Sequence, residues 1–174
     1  MKEVIRRDDL IDRLEEDIKQ YLVKLGEHAL TEEQSERESA LIFTVVNLEE
    51  IGDVIEKELM ELAEKKIRGH YRFSPQGWKE IVDLHAMVIE NLELAISALA
   101  TQDHSIAEKV VRHKSNINLM ERRLRQTHMQ RLHEGLRETI DTSSIHLDVL
   151  AGLKRVNSLI AGIAYAVLGQ HDTV

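Results

Sequence analysis

The chain has no cysteine, one proline, one tryptophan, three tyrosines and two phenylalanines among its 174 residues. Without cysteine, neither a disulfide framework nor a thiolate metal site can form. The scarcity of proline and aromatic residues disfavours β-sandwiches and barrels. No apolar run approaches the roughly 20 residues of a membrane-spanning helix. The N-terminus shows no signal-peptide pattern, since it leads directly into charged sequence.

What the chain does contain is leucine, isoleucine, valine and alanine at helical spacing, which predicts an all-α fold. Thr31 and Ser74, the latter followed by Pro75, are suited to begin helices, and Gly135 and Gly169 to end them. Five long helices are predicted, at about residues 2–29, 32–67, 75–101, 103–135 and 138–169. The second carries an apolar seam of alternating four- and three-residue steps: Leu41, Val45, Leu48, Gly52, Ile55, Leu59 and Leu62.

Acidic charge is concentrated in the first part of the chain. Residues 1–67 hold 19 acidic and 10 basic side chains, whereas residues 68–174 hold 12 and 13. An acidic surface disfavours nucleic acid as a partner and suits a cation. The fourth helix is locally basic at Arg122, Arg123, Arg125, His128, Arg131 and His133. We expect a solvated face there, with contact to an acidic partner or lipid headgroups as the alternative.

An internal repeat relates the two parts of the chain at an offset of about 105 residues. The apolar frame is kept, since Leu48 corresponds to Leu153 and Ile55 to Ile160. Repeat one is predicted at about residues 1–68 and repeat two at about residues 75–170 of a single domain over 1–174. Repeat two has three helices and repeat one only two, so the first antiparallel unit lacks its first helix. We expect the apolar strip left on its two helices to be covered in a homodimer.

Two pairs of acids in repeat one are candidate metal ligands. Asp8 and Asp12 are four residues apart on the first helix, as are Glu49 and Asp53 on the second, so each pair shares a helix face. Carboxylates from adjacent helices can bind a divalent or iron ion; solvated acids are the alternative interpretation. In repeat two the matching positions hold Lys114, Asn118, Lys154 and Ser158, which makes a second site doubtful.

Motifs of other metal and nucleotide sites are missing. No histidine follows an acid by three or four residues, which argues against a ferritin-like di-iron site. The chain has no His-Glu-x-x-His motif, no phosphate-binding loop and no Gly-rich dinucleotide turn.

The two acidic segments, Asp8–Glu15 and Asn47–Asp53, resemble the signatures of the PhoU family of phosphate-transport regulators. The resemblance implies a helical bundle of two three-helix repeats and a metal cluster, here held by Asp8, Asp12, Glu49 and Asp53. It implies no enzymatic activity. PhoU-like domains also form cytoplasmic tails of bacterial sodium/phosphate cotransporters, and the short first repeat and the altered second site favour that branch. The implied partner is a transporter membrane domain, and the implied location is the cytoplasmic face of the inner membrane.

Three alternatives stay open at this point. The first is a free-standing PhoU-like regulator. The second is a small metal-dependent phosphohydrolase, which would use a carboxylate-bound ion to activate water. The third is a scaffold with solvated acids.

Overall fold

The computed structural model describes residues 2–170, which form helices joined by short loops and contain no strand. The helices are α1 (Lys2–Gly26), α2 (Glu32–Asp53), α3 (Met60–Arg68), α4 (Pro75–Thr101), α5 (His104–His133), α6 (Arg137–Asp141) and α7 (Ser143–Val167). A π-helical turn, Val54–Leu59, joins α2 to α3. The predicted all-α bundle with five long helical segments is therefore confirmed.

Local capping chemistry sets the starts of α2 and α4, as the sequence predicts. Thr31 accepts a hydrogen bond from the Gln34 backbone N–H, and the Gln34 side chain accepts one from the Thr31 backbone N–H. Ser74 caps α4 ahead of Pro75, by accepting from the Gly77 N–H at 3.1 Å. The predicted fifth helix differs, because a break at Thr142 separates the short α6 from α7.

The second predicted helix is not continuous, and its buried face differs from the predicted seam. Thr44, Asn47, Ile51 and Val54 are buried, whereas Leu48 is 37 % exposed. The π-helical turn directly after Asp53 inserts an extra residue, so that α3 is rotated relative to a straight continuation of α2. The predicted seam is therefore wrong at Leu48 and also at Ile55, which is likewise exposed.

The core lies mainly in the second half of the chain. Helices α4, α5 and α7 pack against one another in a three-helix unit, α2 packs on the far side of α7, and α1 packs on α2. Core residues include Leu84 and Val88 of α4, Val110 and Ile117 of α5, and Leu150 of α7. The order is thus a closed three-helix unit with a two-helix layer added to it.

Positions related by the repeat share some interactions but differ in burial. The i, i+4 ion pair of Glu15 with Lys19 on α1 has its counterpart in that of Glu121 with Arg125 on α5. In contrast, Leu48 is 37 % exposed while its counterpart Leu153 is 5 % exposed. The second unit contains α4 and the first unit has no helix in that place within residues 2–170. An open apolar face on α1 and α2 results.

Candidate functional site

The predicted acidic site lies where α1 packs closely against Gly52 of α2. Gly52 makes this approach feasible, because a Cβ atom at that position would lie 2.7 Å from Oδ1 of Asp8. The Asp8 side chain is consequently buried, although α1 as a whole is largely exposed. The Gly-Asp sequence of residues 52–53 thus combines a close helix contact with an acid on the next position.

The four predicted ligands form one electrostatic cluster. Burial, followed by the negative charges of Asp12, Asp53 and Glu56, raises the pKa of Asp8. Burial, followed by the charges of Asp53, Asp12 and Glu15, raises the pKa of Glu49. Asp12 and Asp53 therefore act electrostatically on both Asp8 and Glu49.

The cluster also contains two acids that were not predicted from the sequence. They are Glu15 on α1 and Glu56 in the π-helical turn. Each of them follows one predicted ligand by three residues and another by seven, so the helical spacing of the sequence could have identified both. One cation is already present, because Nζ of Lys57 donates a hydrogen bond to Oδ1 of Asp53. That bond raises the pKa of Lys57. The cluster as a whole remains rich in negative charge.

The negative charge of the cluster suits a cation, but its carboxylates do not converge on a common point. Within residues 2–170, no three acidic or histidine side chains come close enough together to hold a metal ion. Sharing an ion would require the carboxylates to rotate toward one another and Asp53 to release Lys57. The altered copy in repeat two has no such acids: Lys114 lies over the Tyr165 ring at 5.0 Å, and Ser158 donates to the Lys154 carbonyl at 3.2 Å.

A second polar cluster, which the sequence analysis missed, lies buried among α4, α5 and α7. Arg131 donates two hydrogen bonds to the Glu80 carboxylate, at 2.6 and 2.7 Å. The rings of His128 and His146 stack with their centroids 4.7 Å apart. Nε2 of His128 lies 2.8 Å from Oγ of Ser143, and Nε2 of His146 lies 3.2 Å from the Gly77 carbonyl oxygen.

The pKa values of Glu80 and His128 depart strongly from those that these groups have in water. Burial opposes ionisation of Glu80, but hydrogen bonds from His146, Arg131 and Gln76 outweigh it and lower the pKa of Glu80 to about 2. Burial, with the positive charges of His146 and Arg131, lowers the pKa of His128 to about 4. Arg131 and His128 are buried, so the expected solvated basic face on this helix is wrong at both positions. No local spacing marks a pair as distant in sequence as Glu80 and Arg131.

Comparison with known proteins adds the family. The PhoU domain model matches residues 1–60 and 81–167. A protein of Escherichia coli K12 named "Putative inorganic phosphate export protein YjbB" is 36% identical over 171 residues, which is 98% of this chain and 32% of the relative. A Salmonella typhimurium protein of the same name is 37% identical over 155 residues, 89% of this chain and 28% of the relative.

The chain thus spans about a third of the length of these curated relatives. No solved structure matches it significantly. None of the helices described within residues 2–170 is long and apolar enough to cross a bilayer. The family model covers both halves of the chain, including the two acidic segments of α1 and α2. This chain belongs to the PhoU domain family.

Proposed function

We propose that the chain is a regulatory, non-enzymatic PhoU-like domain that acts in phosphate handling, on the export side. The observation that carries the proposal is the family match over both halves, together with relatives named for inorganic phosphate export. These names describe phosphate export and do not mention sodium cotransport. They therefore favour a PhoU-like regulator over the tail of a sodium/phosphate cotransporter. We therefore propose the regulator and not the cotransporter tail.

We propose that the partner is a membrane transport domain, and that this chain contacts it on the cytoplasmic side of the membrane. The open face of α1 and α2 supports a protein partner, because Leu14 and Ile18 of α1 and Leu48 of α2 are exposed on this two-helix layer. Exposed apolar faces of this extent usually mark interaction sites.

A non-enzymatic role is supported by the make-up of the acidic cluster. The groups whose charges perturb Asp8 and Glu49 are other acids and Lys57, with no histidine among them. General acid–base catalysis needs a group that titrates near the working pH and lies within reach of the substrate. The cluster offers charge for binding without an evident partner for proton transfer.

The proposed function can be tested by exchanging domains with the Escherichia coli relative. The matched third of that protein is replaced by this chain, and efflux of radiolabelled phosphate from cells is compared with that of the intact protein and of a version lacking the segment. The exchanged protein should restore the efflux of the intact one, at equal amounts in the membrane by immunoblot. Efflux equal to that of the truncated version would reject the role. Metal-dependent hydrolysis of p-nitrophenyl phosphate by the purified chain would reject the non-enzymatic assignment.

We further propose that a divalent or iron ion is held by Asp8, Asp12, Glu49 and Asp53. The raised pKa values support this, because a cation would relieve the mutual repulsion of the carboxylates. The melting temperature of chelator-treated protein should rise on adding Mg²⁺, Mn²⁺ or Fe²⁺. Asp53→Asn should reduce the rise, whereas the matched change Ser158→Ala in repeat two should leave it intact. A rise that survives Asp53→Asn places the ion elsewhere.

A further inference from the structure

Helix α4 carries two apolar seams along its length. The inner seam faces α5 and α7 and is buried in the core: Ile81, Leu84, Val88, Ala95 and Ala98. The outer seam is displaced from it by one residue and advances in alternating steps of four and three: Trp78, Val82, His85, Ile89, Leu92, Ile96 and Leu99. At 1.5 Å per residue, α4 and its outer seam extend for about 40 Å.

The outer seam is largely exposed, except that Leu92 and Leu99 pack against the core and Trp78 stacks on the ring of Phe73. Trp78 is 55 %, Val82 45 %, Ile89 41 % and Ile96 53 % exposed. Leu92 and Leu99 are half-buried beside them. Isolated exposed apolar residues are ordinary on a protein surface, but a continuous row on one helix face marks an interaction site.

The spacing of the row is that of a helix–helix interface. In heptad terms, the β-branched Val82, Ile89 and Ile96 occupy equivalent a positions, and the residues between them occupy the d positions. A seam of this kind packs its side chains as knobs into holes of a second helix.

A groove extends the seam beside its first half. It has a volume of about 480 Å³ and lies between α3 and α4 on the surface of α7. Leu62 and Ile67 of α3, together with Val149 of α7, line it opposite Trp78 and Val82. Ile67 is largely exposed at its edge. The groove is wide enough to take apolar side chains from a helix that lies along α4.

Charges beside the seam select the occupant. The side of the seam away from the core carries Lys79, Ala86 and Glu93, at successive heptad e positions. The opposite side carries Ile81 and Val88, which are buried in the protein's own core. In an antiparallel pair, e positions face e positions. Lys79 then lies opposite Glu93 of a second copy, and Ala86 lies opposite its own counterpart at the two-fold axis. A parallel pair would leave Lys79 facing apolar side chains.

We propose that α4 pairs antiparallel with α4 of a second copy of this chain, along the Trp78–Leu99 seam, with Ala86 at the two-fold axis. The homodimer expected from the sequence is thereby placed on α4 and not on the open face of α1 and α2. The pair is self-complementary in charge, as a two-fold interface requires.

Sedimentation of the purified 174-residue chain tests the location of the interface. The unmodified chain should be a dimer, and Ile89→Glu should raise the dissociation constant at least tenfold. The matched control is Leu14→Glu on the open face of α1, which should leave the dimer intact. Both residues are exposed, so circular dichroism should show a folded protein in each case. A monomeric chain, a dimer insensitive to Ile89→Glu, or a dimer lost with Leu14→Glu would each overturn the proposal.

Crosslinking tests the direction of the pairing, on a chain that has no other cysteine. Ala86→Cys should form an intermolecular disulfide under mild oxidation, whereas Ile96→Cys, far from the two-fold axis, should not. The reverse pattern would indicate a parallel pair and reject the antiparallel one. Lys79→Glu should weaken the dimer, and Lys79→Glu combined with Glu93→Lys should restore it; failure of the restoration would reject the charge pairing.

Discussion

The carboxylate of Asp8, buried against Gly52, imposes a cost that the rest of the molecule must offset. Desolvation and neighbouring acids both disfavour its charged form, as the raised pKa shows. Glu49 is subject to the same two effects from the facing helix. In the metal-free protein these charges oppose folding at neutral pH, which is a common sign of a site that is shaped for binding and not for stability.

Neutral substitutions should therefore stabilise the metal-free protein at pH 7. A raised pKa means that the folded state binds the proton more tightly than the unfolded state, so the penalty is present above the folded pKa and disappears as the pH falls through it. We expect Asp8→Asn and Glu49→Gln each to raise the melting temperature at pH 7. In a domain of this size, a gain of about 1 kcal/mol in the free energy of unfolding raises the melting temperature by roughly 2–4 °C. The gain should shrink as the pH is lowered toward the acidic range.

The control for this experiment is Glu50→Gln, because Glu50 is exposed on the same helix. Its melting temperature should stay near that of the unmodified protein. A loss of stability at pH 7 with Asp8→Asn would contradict the electrostatic account of the cluster.

The contact of α2 and the following π-helical turn with α7 depends on small residues of α7. A Cβ atom at Gly162 would lie 2.6 Å from Oδ1 of Asn47, and one at Gly152 would lie 2.7 Å from Cδ2 of Leu59. Asn47 is buried and donates a hydrogen bond to the Phe43 carbonyl at 2.7 Å, so it has little freedom to move. The two-helix layer is thus attached to the three-helix unit by backbone proximity.

Gly162→Ala should consequently destabilise the protein, although alanine favours a helix. Forcing an extra methyl group into a packed contact costs about 1–3 kcal/mol, which exceeds the gain of up to about 1 kcal/mol in helix propensity. Adding Asn47→Ala should remove the clash, so the double variant should lose less than the sum of the single losses. Urea denaturation measures all of these changes.

Gly26→Ala provides the comparison, since its new methyl group would meet only the end of the flexible Glu38 side chain. We expect little change in its unfolding free energy. Equal losses at Gly26 and Gly162, or strict additivity with Asn47→Ala, would contradict the contact described for α2 and α7.

At the scale of the whole molecule, the second unit has a closed three-helix core, whereas the first unit leaves an apolar face exposed. The second unit is locked by the buried cluster of Glu80, Arg131, His128 and His146, which joins three helices. The first unit has its acids and an open apolar face instead. Stability should therefore come mainly from the second unit, and binding from the first unit and the outer seam of α4.

Acid should lower the free energy of unfolding over two separate pH ranges. A histidine with a lowered pKa favours the folded state above its unfolded value of 6.5, and this stability is lost as the pH falls through about 4. The difference corresponds to a loss on the order of 3 kcal/mol for His128. Glu80 has a lowered pKa of about 2 against an ordinary 4.5, so its contribution is lost only below about pH 4.5.

Urea denaturation from pH 7 to pH 3 checks this prediction. His128→Gln should remove most of the decline between pH 6.5 and 4 and leave the decline at lower pH. A decline between pH 6.5 and 4 that persists unchanged in His128→Gln would show that another group is responsible.

Local interactions explain which features the sequence by itself determined. The helix type, the caps at Thr31 and Ser74 and the turn at Gly135 depend on neighbouring residues, so they could be predicted from spacing and residue type. The same holds for the acids at positions 8, 12, 49 and 53, whose i, i+4 spacing put each pair on one helix face.

Only the tertiary structure decided the features that depend on contacts between distant segments. The π-helical turn after Asp53 begins with the buried Val54 and the exposed Ile55, and α7 packs against both this turn and α2. The pairing of Glu80 with Arg131 joins residues 51 positions apart, and no periodicity records such a contact. Helical spacing defines a face, but the neighbour that covers the face determines whether it is core or surface.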